Sequence, residues 1–221
     1  DMIWAVSEFT KQDIVNIFNI NEDKIKVLYP GVDRLHFASN LPITQLRDLR
    51  NDYSLPKKFI LYLSTIEPRK NLTGLIRAFE NLNIDCDLVI AGKNGYLNEK
   101  VEQEINQSPK RNRIHKLGYI PESAKPAIIK LASVVCYPSF YEGFGFIPLE
   151  AMSMGTPVIT SKVTSLPEVS GSAALFINPY DIQNITDSLK RLLTEKKLRD
   201  DLIAKGYKQV EKFNWERSAQ T

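Results

Sequence analysis

The residues best suited to chemistry lie in one stretch of the chain, between Ser139 and Val158. Glu142 opens a Gly-Phe-Gly turn, and Glu150 follows eight residues later in the helix expected after that turn. The apolar run 133–137 leads into the turn, and a strand, glycine turn and helix in this order present backbone N–H groups to an anion. A carboxylate repels a bare phosphate, but it accepts two hydrogen bonds from a vicinal diol. These residue types indicate a ligand with both phosphate and sugar hydroxyls, such as a nucleotide sugar.

A pair of cations, Arg69 and Lys70, follows the apolar run 58–64 and precedes a helical pattern opened by Asn71. Cleavage of a glycosyl phosphate bond builds negative charge on the leaving diphosphate, which fixed cations can stabilise without a metal. The alternative is a solvated helix start, but two cations at a helix N-terminus oppose the helix dipole. The pair is therefore predicted to bind phosphate.

Short apolar strands alternate with helical periods, which predicts an α/β fold with a Rossmann-like, doubly wound parallel sheet. Ligands of such sheets bind beyond the carboxyl ends of the strands, where the strand order reverses. Ser64, Gly92, Tyr119 and Glu142 all follow predicted strands, so we expect them to share one cleft. The predicted strands are 2–6, 25–28, 58–64, 86–91, 113–117, 133–137, 157–160 and 174–177, and the predicted helices are 8–18, 43–51, 71–82, 96–107, 122–131, 146–154, 181–194 and 195–212.

The composition is that of an ordinary globular protein, with 43% hydrophobic and 25% charged residues among 221. The net charge of +3 is too small to indicate a nucleic-acid partner. Cys86 and Cys136 lie in apolar runs and are predicted to be buried, reduced thiols, which fits a cytoplasmic protein. Asp85-Cys86-Asp87 has the spacing of a metal-binding Asp-x-Asp, but both carboxylates are expected to face solvent beside a strand, so no metal site is predicted. His115 is expected to be structural and His36 incidental.

Motifs spread over almost the whole chain carry a family resemblance. In order they are Val-Ser-Glu-Phe-Thr (6–10), Val-Leu-Tyr-Pro-Gly-Val-Asp (27–33), Ser-Thr-Ile-Glu-Pro-Arg-Lys-Asn (64–71), Ala-Gly-Lys-Asn-Gly (91–95), Leu-Gly-Tyr-Ile (117–120), the paired-glutamate segment (142–150), and Ser-Leu-Pro-Glu-Val (165–169) followed by Asn-Pro-Tyr-Asp (178–181). Together they resemble the C-terminal half of the retaining glycosyltransferases of family 4, which have the two-domain GT-B fold. The resemblance implies a remnant of an N-terminal acceptor domain (1–28), a connector (29–57), a donor-binding Rossmann-like domain (58–212) and the start of a truncated C-terminal crossing helix (213–221).

The resemblance also implies roles for the charged residues. Arg69 and Lys70 would bind the diphosphate, Glu142 would face the transferred sugar at its reacting edge, and Glu150 would bind the ribose hydroxyls. These residues would need neither a cofactor nor a metal. Arg69, Lys70 and Glu142 are the catalytic candidates.

The neighbouring loops supply the remaining candidates for substrate binding. Gly143 and Gly145 would let the N–H groups of 144–146 approach the ligand closely. Phe144 and Phe146 belong to the same loop, although core packing is the more common role for such rings.

The loops after other strands would contact the rest of the donor. Tyr119 and Ile120 resemble a loop that contacts the base, although Tyr119 is equally explained as a half-buried aromatic at a strand end. Gly92 and Lys93 resemble a sugar-side loop, although a solvated loop lysine is the more common case. Many relatives have Gly where this chain has Ser64, which would slightly restrict the approach of the backbone there.

The implied function is donor binding for a retaining hexosyltransferase of cell-surface polysaccharide synthesis. GDP-mannose is the favoured donor, with UDP sugars as alternatives, and the acceptor would be a glycan or lipid-linked molecule held partly by an absent N-terminal domain. A nucleotide-sugar epimerase of the GT-B fold and a non-catalytic nucleotide-sugar-binding module remain as alternative functions. Peripheral association of the full-length enzyme with the inner face of the membrane is a further expectation. A homodimer, in which residues 1–28 pair with another copy of the chain, is another.

Overall fold

The computed structural model describes residues 1–33, 37 and 41–220, which form an α/β fold. His36 lies outside the described residues, as does part of the segment 29–57. The strands are β1 Ile3–Ala5, β2 Ile25–Val27, β3 Phe59–Leu63, β4 Asp87–Ala91, β5 Ile114–Gly118, β6 Val134–Tyr137, β7 Val158–Ser161 and β8 Ala174–Ile177. The helices are α1 Glu8–Phe18, α2 Ile43–Asp52, α3 Leu72–Asn81, α4 Glu99–Gln107, α5 Lys125–Leu131, α6 Phe146–Ser153, α7 Leu166–Ser170, α8 Ile182–Thr194, α9 Lys196–Val210 and α10 Trp215–Ala219.

The central sheet has the strand order β5-β4-β3-β6-β7-β8, and all of its strands run parallel. The order reverses between β3 and β6, since the chain builds outward from β3 to β5 on one side and from β6 to β8 on the other. This confirms the predicted doubly wound parallel sheet. The connections after β3 and β6 lead to opposite sides of the sheet from this point, which is where such sheets leave a crevice for ligands.

Both faces of the sheet are buried, because successive residues of each strand point to opposite sides. On β3, Leu61 and Leu63 belong to one apolar cluster, whereas Ile60 and Tyr62 belong to a second cluster on the other face. All five residues of β3 are buried. A central strand of this kind fixes the position of the loop that follows it.

The first 28 residues form a separate small unit in which β1 pairs with β2 in parallel, flanked by α1. The far end of the chain returns toward the segment that follows this unit. Val32 N donates to Phe213 O (3.0 Å), and the Ser218 hydroxyl donates to the carbonyl of Tyr29. Gly31 lies so close to Trp215 that a Cβ atom would stand 2.4 Å from its backbone nitrogen. The segments 29–32 and 213–218 are therefore bound to each other.

Two expectations about side chains require correction. Cys86 is buried and free, but it precedes β4 instead of lying within it. Asp87 does not simply face solvent: it pairs with Arg113 Nε (2.9 Å) and His115 Nε2 (2.7 Å), and Arg113 also pairs with Asp85 (2.8 Å). His115 therefore joins a structural group of polar side chains around the starts of β4 and β5.

Candidate active site

The strand-order reversal brings the predicted cations and Glu142 into direct contact. Lys70 Nζ lies 2.5 Å from Glu142 Oε1 and donates to the hydroxyl of Tyr137 at 2.8 Å. Arg69 Nη1 lies 3.0 Å from Glu142 Oε2, and Arg69 Nε lies 2.8 Å from Glu67 Oε1. The cations and the carboxylate are thus neighbours, so an incoming diphosphate would share Arg69 and Lys70 with Glu142.

The local backbone explains why these cations point into the site. Pro68–Lys70 form a single 3₁₀ turn, and Asn71 then adopts a left-handed conformation (φ 54°) that starts α3. The Asn71 side chain accepts a hydrogen bond from Gly74 N (3.2 Å) and donates to the carbonyls of Pro138 and Pro179. Because these carbonyls follow β6 and β8, one buried side chain joins three loop ends at the carboxyl edge of the sheet.

Burial and charge act together on the ionisable groups. Burial alone would raise the pKa of Glu142, but the hydrogen bond and charge of Lys70 hold that pKa below its usual value. Burial lowers the pKa of Lys70, although Glu142 opposes this change. The side chains of Lys70 and Glu142 are each 8% exposed, whereas that of Arg69 is 49% exposed. The cluster thus contains one buried ion pair and one half-exposed cation.

The loop that carries Glu142 is held by residues that the sequence had not marked as site residues. Glu142 N donates to Thr164 Oγ1 (3.1 Å), and the hydroxyl of Ser165 lies 2.8 Å from the carbonyl oxygens of both Glu142 and Phe144. Thr164 has a positive φ of 53°, which is unfavourable for a β-branched residue. The motif 165–169 was the available signal, but its contact with residue 142 is visible only in the fold.

The remaining loop residues are divided between core and surface. Phe144 is buried and packs against Phe146 and Phe213 at ring distances of 5.0 and 5.6 Å. Phe146 is 42% exposed at the start of α6. Gly145 has a φ of 106°, and a Cβ there would stand 2.8 Å from Leu166 Cδ2, so glycine is needed at this turn.

Glu150 lies in the second turn of α6 and pairs with a lysine that the sequence did not single out. Lys125 Nζ, at the start of α5, lies 2.7 Å from Glu150 Oε1 and 3.4 Å from Glu122 Oε2. The side chain of Glu150 is buried, and that of Lys125 is 13% exposed. A lysine in the first turn of a helix is an unfavourable choice for the helix dipole, which was the only local signal for this contact.

A cleft of about 360 Å³ opens at the carboxyl edge of β3, β4 and β5, beside Glu122 and Lys125. Its walls include Ser64, Gly92, Lys93, Tyr119 and Ile120, so five of the predicted residues do share one cleft. They are joined there by Leu63, Thr65, Glu122, Lys125 and Ile147. Glu142, Arg69 and Lys70 lie beyond this cleft, after β3 and β6.

Two features of the cleft wall have clear causes. Gly92 has a φ of 149°, and a Cβ there would stand 1.8 Å from the carbonyl oxygen of Ser64, so the ends of β3 and β4 can touch only through glycine. Tyr119 is 61% exposed, and Lys93 Nζ lies 4.6 Å from the centre of its ring. This ring is therefore a surface of the cleft and is not a half-buried strand end.

Among the described residues, no three His, Cys, Asp or Glu side chains gather as a metal site. In the same part of the chain, no helix is long and apolar enough to cross a membrane.

Comparison with known proteins agrees with this geometry. The family described as glycosyl transferases group 1 matches residues 45–209. O-antigen chain mannosyltransferase B of Escherichia coli is 34% identical over 97% of this chain and 57% of its own length. The E. coli serotype-specific mannosyltransferase WbdA is 31% identical over 99% of this chain and 28% of its own length. This chain therefore spans at most a little over half of either relative.

A solved structure shows the same fold at lower sequence identity. Anabaena Alr3699/HepE, crystallised in complex with UDP and glucose, superposes with a TM-score of 0.90 at 18% identity, over 99% of this chain and 61% of that one. At this identity the likeness concerns the fold, which is that of the GT-B glycosyltransferases. Taken together, the matched family segment, the parallel sheet and the relatives lead to one conclusion: the chain belongs to the glycosyl transferases of group 1.

Proposed function

We propose that this chain binds the donor of a retaining hexosyltransferase, a nucleotide-diphosphate sugar. The observation that carries the proposal is the meeting of Arg69, Lys70 and Glu142 at the strand-order reversal, beside a cleft of about 360 Å³. Cations suited to a diphosphate lie next to a carboxylate suited to sugar hydroxyls. The cleft itself extends past Ser64 and Lys93 to Tyr119 and Ile120, where a base would lie.

The proposed roles follow the order of these groups along the edge of the sheet. Arg69 and Lys70 bind the diphosphate, Glu142 binds the sugar, and Glu150 binds the ribose hydroxyls. In the transfer, the bond between the anomeric carbon and the diphosphate oxygen breaks, and its electron pair stays on the diphosphate. The acceptor oxygen bonds to the same face of the carbon and passes its proton to the departing diphosphate. The two cations stabilise the charge that develops there.

GDP-mannose is the donor that we favour. Glu122 stands on the cleft wall near Tyr119 and Ile120, and its carboxylate can accept hydrogen bonds from the N1–H and exocyclic N–H of guanine. Uracil offers a single N–H on the corresponding edge. Two relatives are named mannosyltransferases, which supports the same donor.

The acceptor side belongs to the proposal as well. We propose that residues 1–28 are the end of an acceptor-binding domain, that 29–57 connect it to the donor-binding part 58–212, and that 213–221 begin a helix crossing back. The acceptor would be a glycan or lipid-linked molecule of cell-surface polysaccharide synthesis, met in the cytoplasm at the inner face of the membrane. Peripheral membrane binding of the full-length enzyme and a homodimer formed through residues 1–28 belong to the same hypothesis.

Calorimetric titration of the chain with GDP, UDP, ADP and their common sugar conjugates tests the proposal. We expect GDP and GDP-mannose to bind, and Glu122→Gln to weaken GDP about tenfold while UDP changes little, because one charged hydrogen-bond acceptor is lost. Glu104→Gln, which changes a carboxylate paired with Arg77 on α3, is the matched control. Binding of UDP without GDP would reject the guanine nucleotide, and failure of every nucleotide to bind would reject donor binding.

A further inference from the structure

The glutamate loop, residues 142–145, is held on its outer side by the N-terminal unit. Ser7 Oγ donates to the carbonyl of Gly143 at 2.7 Å, and Thr10 Oγ1 donates to the same oxygen at 2.9 Å. Ser7 is fully buried, and a Cβ at Gly143 would stand 3.5 Å from Thr10 Oγ1. Two hydroxyls from α1 thus converge on the residue directly after Glu142.

The N-terminus of α1 makes a second contact, with Glu168 of α7. This residue lies close to those that bind the backbone of the glutamate loop. Glu168 of α7 accepts hydrogen bonds from Glu8 N (2.8 Å), Phe9 N (3.3 Å) and the hydroxyl of Tyr29 (2.5 Å). A carboxylate at a helix N-terminus is favourable for the helix dipole. Glu168 lies three residues after Ser165, whose hydroxyl holds the carbonyls of Glu142 and Phe144.

The backbone around Glu142 therefore has a partner on the amide of Glu142 and on three successive carbonyls, those of Glu142, Gly143 and Phe144. Thr164 and Ser165 hold the amide and carbonyl of Glu142 and the carbonyl of Phe144, while the Gly143 carbonyl depends on α1 alone among the hydrogen bonds given above. A binding carboxylate must stay within about 0.5 Å of its productive position to keep its full effect. Loss of the α1 hydroxyls would free the one carbonyl that the 164–165 segment does not fix.

We propose that Ser7 and Thr10 are positioning residues for Glu142, so that contact with the donor sugar depends on docking of the N-terminal unit. The inference rests on the proposed function, in which Glu142 meets the sugar and Arg69 and Lys70 meet the diphosphate. The affinity for the donor then has two parts. The part due to the diphosphate is independent of α1, and the part added by the sugar requires the two hydroxyls.

Thr10→Val tests this dependence, because valine keeps the shape of threonine and removes the hydroxyl, while Ser7, the N-cap of α1, still accepts from the backbone N of residue 10 (3.0 Å). The substitution also removes the 2.9 Å contact between the two hydroxyls. The measured quantity is the ratio of dissociation constants for GDP and GDP-mannose, with UDP and UDP-glucose as the second pair, determined by calorimetry. We expect Thr10→Val to reduce this ratio about three- to tenfold, as loss of one hydrogen bond would. Adding Ser7→Ala should reduce the ratio further.

Two variants exclude a general loosening of the fold. Thr10→Ser keeps the hydroxyl and should restore the ratio of the parent chain. Thr186→Val removes a buried hydroxyl on α8 that donates to the carbonyls of Ala78 and Ile182, away from the site, and should leave the ratio unchanged. An unchanged ratio in Thr10→Val, or an equal loss of affinity for nucleoside diphosphate and sugar conjugate, would overturn the inference.

Failure of the proposed function gives a different result. If the parent chain binds no nucleotide, donor binding itself is rejected, and the role of α1 with it. If the parent binds nucleoside diphosphates but gains nothing from the sugar, nucleotide binding stands and the positioning role is rejected.

Discussion

Lys70 and Arg69 touch the same carboxylate from different environments. Lys70 forms a buried ion pair with Glu142, whereas half of the Arg69 side chain is exposed. Removing one partner of a buried pair leaves an uncompensated charge, which costs far more than removing a surface cation. The two residues should therefore contribute unequally to stability even though both face the proposed diphosphate.

We expect Lys70→Met to lower the free energy of unfolding by about 3 kcal/mol and Arg69→Met by less than about 1 kcal/mol. Each should weaken GDP binding by about 10- to 100-fold, because each removes a charge-assisted hydrogen bond. Urea unfolding and calorimetry measure the two effects separately. Lys196→Met, which removes an exposed cation paired with Asp200, should change neither. GDP affinity that survives both site substitutions would contradict the proposed diphosphate site.

The lowered pKa of Glu142 makes a prediction about acid stability. Its folded-state pKa lies below the unfolded value, so its contribution is fully present above the unfolded pKa of about 4.3 and is lost as the pH falls through the folded pKa. At pH 7 the free energy of unfolding of the parent chain should be larger than that of the Glu142→Gln variant. This difference should shrink below about pH 4. Urea titrations at several pH values measure it. A difference that stays constant down to pH 3 would show that the carboxylate is not stabilised by Lys70.

At the scale of elements, the turn from β3 into α3 depends on a single cap. Asn71 bridges α3 to the loops after β6 and β8, and Gly74 leaves room for its side chain. A Cβ at residue 74 would stand 2.4 Å from Asn71 Oδ1. The glycine is therefore required by the cap, against the ordinary preference of helices for alanine.

Gly74→Ala should destabilise the protein by about 2 kcal/mol, although alanine in an exposed helix interior is normally about 1 kcal/mol more favourable than glycine. The cause is displacement of the buried Asn71 amide from its three partners. Gly206→Ala in α9 is the comparison, because a Cβ there meets the flexible Met152 side chain at 3.1 Å, and we expect a change within about 1 kcal/mol. Urea unfolding measures the change in stability of both variants. A stabilising effect of Gly74→Ala would mean that the Asn71 cap can move freely.

The sequence predicted the strands well because their apolar runs are unambiguous, as in Val134–Tyr137. Helix starts were less accurate. α4 begins at Glu99 and α5 at Lys125, each three residues after the predicted start, since the preceding turns contain residues that fit a helical pattern. The helix α7, Leu166–Ser170, is too short to show a period and was missed.

The site could be predicted as a set of residues but not as a set of contacts. Glu142 and Glu150 are marked by the turn and helix around them, whereas the Lys125 partner of Glu150 and the hydroxyl of Ser165 reach the site from other elements. Contacts between residues 20 or more positions apart leave no local period in the sequence. They follow only from the order of the strands.

At the scale of the whole molecule, the charge proposed to bind a diphosphate comes from side chains. Arg69 and Lys70 occupy the strand-order reversal, beside the carboxyl ends of the paired strands β3 and β6. We therefore expect GDP to bind with the same affinity, within about twofold, in EDTA and in millimolar Mg²⁺, and to bind less tightly at high ionic strength. Calorimetry in the three buffers measures this, and loss of binding in EDTA would indicate a metal-dependent site.

The lacing of the chain ends has a mechanical consequence. Where Gly31 passes Trp215, the single covalent connection from the N-terminal unit lies against the C-terminal segment, so this contact would resist a pivot of the unit. Such a pivot would lift Ser7 and Thr10 from the carbonyl of Gly143. Opening of the molecule and release of the Glu142 loop would then be one and the same movement.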